Sequence, residues 1–253
     1  MQGVDAPDFA RARRLVEEAS RGVDLLARGT WPLLVALVLL LFSASLAALA
    51  EFNPLRPPGP AAAAAHPALA AASSLLLGLS SASAVYGLSS WASAARSLER
   101  VCGRARLGLY AAWVLEAGFG GLAVGMLAYA AALHAGPAAL AAARLVLVAG
   151  ASLVALGWVL ESAFFLWVLP SVEVGGARFP RAYRVSGLVL ASLGPLAGSG
   201  VAAGPSTGLG MALLAAAALA GVAFTLALLA AVNETKRRLS RIAEWGGAPP
   251  PEI

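Results

Sequence analysis

Apolar residues in this chain fall into six long runs, at residues 31–50, 68–91, 107–133, 145–169, 185–203 and 209–232. Short polar or proline-rich segments separate them. Nearly continuous apolar runs longer than about 18 residues mark membrane-spanning helices, and the fifth is the shortest here. The pattern predicts an all-α integral membrane bundle of six transmembrane helices. Residues 1–30 read differently: Phe9, Ala12, Val16, Ala19, Val23 and Leu26 recur at heptad-like spacing, with Arg11, Arg14, Glu18, Arg21 and Arg28 off that stripe. This predicts a short N-terminal amphipathic helix, lying on lipid headgroups, against a partner, or packed on the protein's own cytoplasmic loops. Residues 233–253 form a basic tail that ends in Pro249-Pro250-Pro251.

Composition fits this division into an amphipathic lead (1–30), a transmembrane domain (31–232) and a tail (233–253). Of 253 residues, 60% are hydrophobic and 12% charged, against roughly 25% charged in soluble domains. A single cysteine, Cys102, excludes an intramolecular disulfide. Lysine and arginine are distributed unevenly: alternate segments between runs hold 16 against 2. By the positive-inside rule both termini and the second and fourth loops are cytoplasmic, in a multi-pass cell-membrane protein. Trp31, Trp91, Tyr110 and Trp167 fall near that inner boundary. The net charge of +5 follows from topology, so nucleic acid is not implied, while anionic lipid headgroups at the cytoplasmic face are.

Within the runs, serine crowds the second (Ser73, Ser74, Ser80, Ser81, Ser83, Ser89, Ser90), and Gly118, Gly121 and Gly125 stripe the third. Both patterns suit close helix packing. Gly194-Pro195 in the fifth run predicts a kink or an interrupted helix.

Two acids stand out. Trp113-Val114-Leu115-Glu116 in the third run and Trp158-Val159-Leu160-Glu161 in the fourth repeat one pattern. With the turn between the runs centred near Ala139, an antiparallel hairpin places both carboxyls at one depth, roughly 12–14 Å inside the bilayer at ~1.5 Å per residue. No basic residue is expected at that level. Intramembrane acids are costly and face a bundle interior or water, so a shared proton or bound cation competes with a purely structural hydrogen-bonding role. Glu116, Glu161, Trp113, Trp158 and Pro195 form the candidate site.

His66 and His134 both fall near the outer boundary, but no further metal-ligand residues accompany them in the sequence. No cofactor or metal is expected. HExxH, GxSxG, phosphate-loop and CxxCH signatures are absent, which gives an enzyme reading no support. Gly22-Val23-Asp24-Leu25-Leu26-Ala27-Arg28-Gly29-Thr30 within residues 17–34, and Tyr183-Arg184-Val185-Ser186-Gly187-Leu188, resemble archaeal multi-pass membrane proteins of a family with no assigned function. That resemblance implies the same fold class and brings no catalytic residues. Three functions stay open: a small transport component for a proton, cation or small solute using paired intramembrane glutamates; a non-catalytic accessory or scaffold subunit in a homo- or hetero-oligomer with other membrane subunits; and, last, an intramembrane enzyme or haem protein.

Overall fold

The computed structural model describes residues 6–49, 67–132, 135–204 and 207–244. Its long helices are α1 (Ala6–Leu49), α2 (Pro67–Glu99), α3 (Arg106–Ala132), α4 (Pro137–Ala163), α5 (Ala182–Ala203) and α6 (Gly208–Glu244). Five of them, all but α5, are long and apolar enough to cross a membrane. Each helix packs on the next in sequence, and α6 returns to α1, closing a ring. Apolar side chains such as Phe42, Leu79, Val124, Leu145, Val159 and Leu226 cover the outside, as a lipid-facing surface requires.

Three seams hold the ring together. Between α1 and α2, Ser73 Oγ donates to the Ser43 carbonyl at 2.9 Å, Ser80 Oγ to Ala36 at 2.6 Å and Ser83 Oγ to Pro32 at 2.8 Å. The serine-rich run is therefore a packing surface where it meets α1, with the Ser73, Ser80 and Ser83 hydroxyls spent on backbone carbonyls of that helix, while Ser89 bonds to the Tyr86 carbonyl of its own helix. Between α3 and α4 the seam is glycine on glycine. A Cβ at Gly150 would lie 2.9 Å from Leu122 N and 3.0 Å from Gly118 O, and one at Gly118 would lie 2.7 Å from Val154 N. Between α5 and α6, Gly200 admits the Leu214 side chain, while Gly221 of α6 receives Leu37 of α1.

The arginine-rich end of the bundle carries a cap. The amphipathic segment is the first half of α1, one 44-residue helix that runs unbroken through Pro32. It is thus neither short nor separate from the first span. Its stripe of Val16, Ala19, Val23 and Leu26 is buried in the protein's own core with Leu98, Val172, Val174, Leu239 and Ile242. Ion pairs Arg100–Glu18 (2.5 Å) and Lys236–Asp24 fasten α1 to the ends of α2 and α6. This apolar stripe is consumed internally instead of facing headgroups. A two-residue hairpin, β1 (Glu173–Val174) and β2 (Ala177–Arg178), folds over the cap. Its turn residues Gly175 and Gly176 have φ of 56° and 81°, a conformation that glycine reaches without strain.

The turn position is corrected, and two other expectations are narrowed. The fourth helix begins at Pro137, after Gly136 at φ 100°, so the turn precedes Ala139, which is already helical. Proline fits the first helical turn because its missing N–H would have no partner there. Gly194-Pro195 does not interrupt α5, which is helical from Ala182 to Ala203. Trp91 is 3% exposed, and its Nε1 donates to the Leu26 carbonyl at 3.1 Å; it is a core residue, whereas Trp31, Tyr110 and Trp167 are exposed. His66, His134, the loop before α2 and the end of the tail lie outside the described residues.

The glycine seam makes a stability prediction. Gly150→Ala should cost about 1–3 kcal/mol, because backbone atoms cannot yield as a side chain would. Gly120→Ala, where a Cβ meets nothing within 4 Å, should change stability by no more than about 0.5 kcal/mol. Unfolding in detergent measures both; equal losses would contradict the seam.

Candidate functional site

Helix register decides where the two acids go. Gly157 of α4 packs on Leu115 of α3, Gly150 on Gly118 and Gly121, and Gly108 of α3 on Phe164. Continued through the hairpin, this register sets Glu161 level with Ala111. Glu116 lies about five residues, roughly 7 Å, deeper along α3 at ~1.5 Å per residue. The faces differ as well. Glu161 lies four residues after Gly157 and three before Phe164, so it shares their α3-facing side. Glu116 shares a stripe with Leu109 and Ala112, which pack against Ala92 and Ala95 of α2. The two carboxyls therefore do not meet at one depth, and the paired arrangement is corrected. The physical reason is the early start of α4, which moves the turn toward α3.

Glu116 instead has a basic neighbour. Helix α2 continues to Glu99, well past Trp91, and so carries Arg96 into the bundle wall. The Arg96 guanidinium lies 5.5 Å from the Trp113 ring centroid, and Arg96 is the cation whose charge reaches Glu116. Trp113 is 42% exposed and Glu116 half-buried, so this group sits on the outer surface between α2 and α3. A cation over an aromatic face gains on the order of 0.5–1 kcal/mol at exposed sites.

Glu161 is different. It is 2% exposed, the adjacent Ser162 is 5% exposed, and Glu161 Oε2 and Ser162 Oγ have no hydrogen-bond partner among the described residues. Immediately beyond, the helix widens: Phe164–Val168 is a π-helical turn, in which Leu169 N–H reaches back to the Phe164 carbonyl. Pro170 follows in a 3₁₀ turn, Leu169–Ser171. Proline cannot continue the ladder and its ring crowds the carbonyl four residues back, so the helix leaves α geometry ahead of it.

The π turn presents Phe165 to an aromatic cluster. Its ring centroid lies 5.5 Å from Trp91, 5.6 Å from Phe164, 5.7 Å from Phe224 and 6.4 Å from Tyr183, the first three edge-on. Edge-to-face contacts of this kind add about 0.5–1.5 kcal/mol each beyond area burial. Tyr183 in turn stacks on Phe179 at 5.9 Å and shares a 3.2 Å hydrogen bond with Thr235 of α6.

Trp158 and Pro195 do come together. Trp158 Nε1 donates to the Leu190 carbonyl at 2.6 Å, and its ring fills the space at Gly194. Pro195 removes the donor that would reach Ala191, and the indole N–H reinforces the adjoining carbonyl of the same turn. That support accounts for the unbroken α5. The candidate residues thus separate into three places: Trp113 with Glu116 and Arg96, Trp158 with the Pro195 turn, and Glu161 with Ser162. Sequence reasoning missed Arg96, Ser162 and the π turn, although Pro170 after an apolar run was a visible signal.

No three of His, Cys, Asp and Glu converge on a metal-sized site among the described residues. Compared with protein-family models, curated proteins and solved structures, the chain matches none.

The two kinds of buried serine give opposite predictions. Ser43→Ala deletes a hydroxyl that bonds the Ser73 carbonyl at 2.8 Å, and should cost about 1 kcal/mol. Ser162→Ala deletes one without a partner and should leave stability unchanged or raise it by about 1 kcal/mol. Denaturant titration of both variants is the measurement; a matching loss from Ser162→Ala would refute the isolated hydroxyl.

Proposed function

We propose that this protein is a small multi-pass transport component in which a single buried carboxyl, Glu161, takes up a proton or cation and couples it to movement of the helix below it. The observation that carries the reading is Glu161 Oε2, buried and unpartnered among the described residues beside an equally unpartnered Ser162 hydroxyl. An ionised carboxylate without counter-charge or donors is expensive in such a setting. The group is stable there as the neutral acid or with a cation beside it. Exchange between those states changes what the side chains packed around it must accommodate. The adjacent π turn is a helix irregularity of the type found at functional sites, and it offers an element with two nearby geometries.

The accessory-subunit reading has fewer open faces to use: the glycines of the α3–α4 seam and the amphipathic stripe of the cap are packed within the chain. Glu116, faced by Arg96, belongs to the outer wall in this proposal and carries no transported charge. The full arrangement has α5 as a sixth span and both termini in the cytoplasm of a cell membrane. The charge asymmetry of 16 against 2 supports that orientation.

Flux into liposomes under imposed proton or cation gradients tests the mechanism. Glu161→Gln should abolish coupled flux and Glu116→Gln should retain most of it. Flux in Glu161→Gln equal to wild type, or none from wild type under any gradient, would sink the reading. Orientation has its own test in Cys102, the sole cysteine. A membrane-impermeant maleimide should label it in inside-out vesicles and spare it in intact cells; the reverse pattern would invert the topology.

A further inference from the structure

The exposed stripe of α3 has an order that the transport proposal does not use. Arg106, Tyr110, Trp113, Ala117, Gly120, Val124 and Leu127 recur three or four residues apart, and all but Gly120 are exposed. They therefore line one outward face. From the arginine-rich end inward, this face passes from cation to aromatic rings to a small-residue notch to aliphatic side chains. At Gly120 a Cβ would meet nothing within 4 Å, so the notch at Ala117 and Gly120 is open to the bilayer.

Above the notch sit two linked rings and a guanidinium. Tyr110 and Trp113 lie 6.1 Å apart, tilted at 55°, and Arg96 of α2 lies over Trp113 at 5.5 Å. Arg106 is paired with Glu99 at 2.6 Å. Arg96 forms no salt bridge within 4.0 Å among the described residues, so its donors are not committed to a carboxylate. Arg104, also exposed, adds a further positive charge at the same end. Arginine prefers planar, bidentate recognition of phosphate, and tyrosine and tryptophan settle at headgroup depth with their polar edges toward water.

We infer that this face is a binding site for one anionic phospholipid. Its phosphate is held by Arg96, its glycerol region lies along the Tyr110 and Trp113 rings, and one acyl chain lies in the notch at Ala117 and Gly120. Charge selects the headgroup, since the stretch between Arg96 and Arg106 holds four arginines and one glutamate. The missing side chain at Gly120 selects a chain that reaches past the aromatic belt. The site is independent of Glu161 and of any transport.

Native mass spectrometry of the detergent-solubilised protein, with equal mole fractions of phosphatidylglycerol and phosphatidylcholine, tests it. Wild type should retain phosphatidylglycerol at least fivefold over phosphatidylcholine. Arg96→Gln should bring that ratio close to one. Gly120→Leu, at a position with room for a side chain, should reduce retention of both lipids while leaving the unfolding temperature unchanged. Inorganic phosphate in excess should not displace the bound lipid. Equal retention of the two lipids by wild type, an unchanged ratio in Arg96→Gln, retention in Gly120→Leu equal to wild type, or displacement by phosphate alone would each overturn the assignment.

Discussion

Backbone contact between α3 and α4 at Gly118, Gly121 and Gly150 is the constraint on which the interior depends. Lipid offers no hydrophobic drive for helices to associate, so close packing and hydrogen bonds must hold them. Here the packing is as close as polypeptide allows, with no side chain between the two backbones. Such a seam has one register, because a slip of one residue would drive a Val154 or Leu122 side chain into the opposite helix. The register then turns Glu161 into the seam's continuation, at the level of Ala111, and leaves Glu116 on the flank that meets α2. Everything chemical about the interior follows from that assignment.

Much of the architecture was legible in the sequence, for a definite reason. Apolar runs of about 20 residues have few destinations other than a bilayer, and the serine and glycine runs announced close contacts that the structure contains. Helix ends were less legible. Hydropathy reports what a side chain would do in lipid, not whether its backbone is helical, and the alanine-rich start of α4 and the polar end of α2 are helical without being strongly apolar. Those extensions decide the site: the first shifts the hairpin turn and the second brings in Arg96. Moving a turn by a few residues displaces a side chain by more than a helical turn, which is enough to separate two carboxyls expected to touch. The Gly136-Pro137 pair and the Gly175-Gly176 hairpin carry turn chemistry in the sequence that hydropathy alone passes over. The depth of Glu161's burial was not readable, since it depends on tertiary packing and not on the local sequence.

The aromatic cluster explains how a polar group without partners is tolerated beside the π turn. Phe165 stands among Trp91, Phe164, Phe224 and Tyr183, joining α2, α4, α5 and α6 through a single ring. Contacts of that number and geometry hold the widened turn against return to α geometry. The same rings surround the next turn of helix with apolar surface. Ser43, Ser73, Ser80 and Ser83 of the α1–α2 seam illustrate the alternative: each hydroxyl finds a carbonyl across the interface, and a buried polar group becomes a tie. Ser162 and Glu161 occupy comparable depth in the protein without that compensation, so the cost of burying them is met by packing around them and not by bonds they make.

The two W-V-L-E stretches invite a reading as symmetric halves of one site, and the geometry argues against it. A two-fold axis exchanging α3 and α4 would map a residue facing α2 onto one facing α5. Glu116 is on the α2 side of its helix, so its symmetric counterpart would point toward α5. Glu161 points toward α3 instead. The tryptophans disagree too: Trp113 borders lipid under Arg96, while Trp158 is bonded into the Pro195 turn. The repetition is therefore one of letters and not of environment. One acid has a cation near it at the surface, the other has none in the interior among the described residues, and the proposed transport role therefore rests on a single carboxyl.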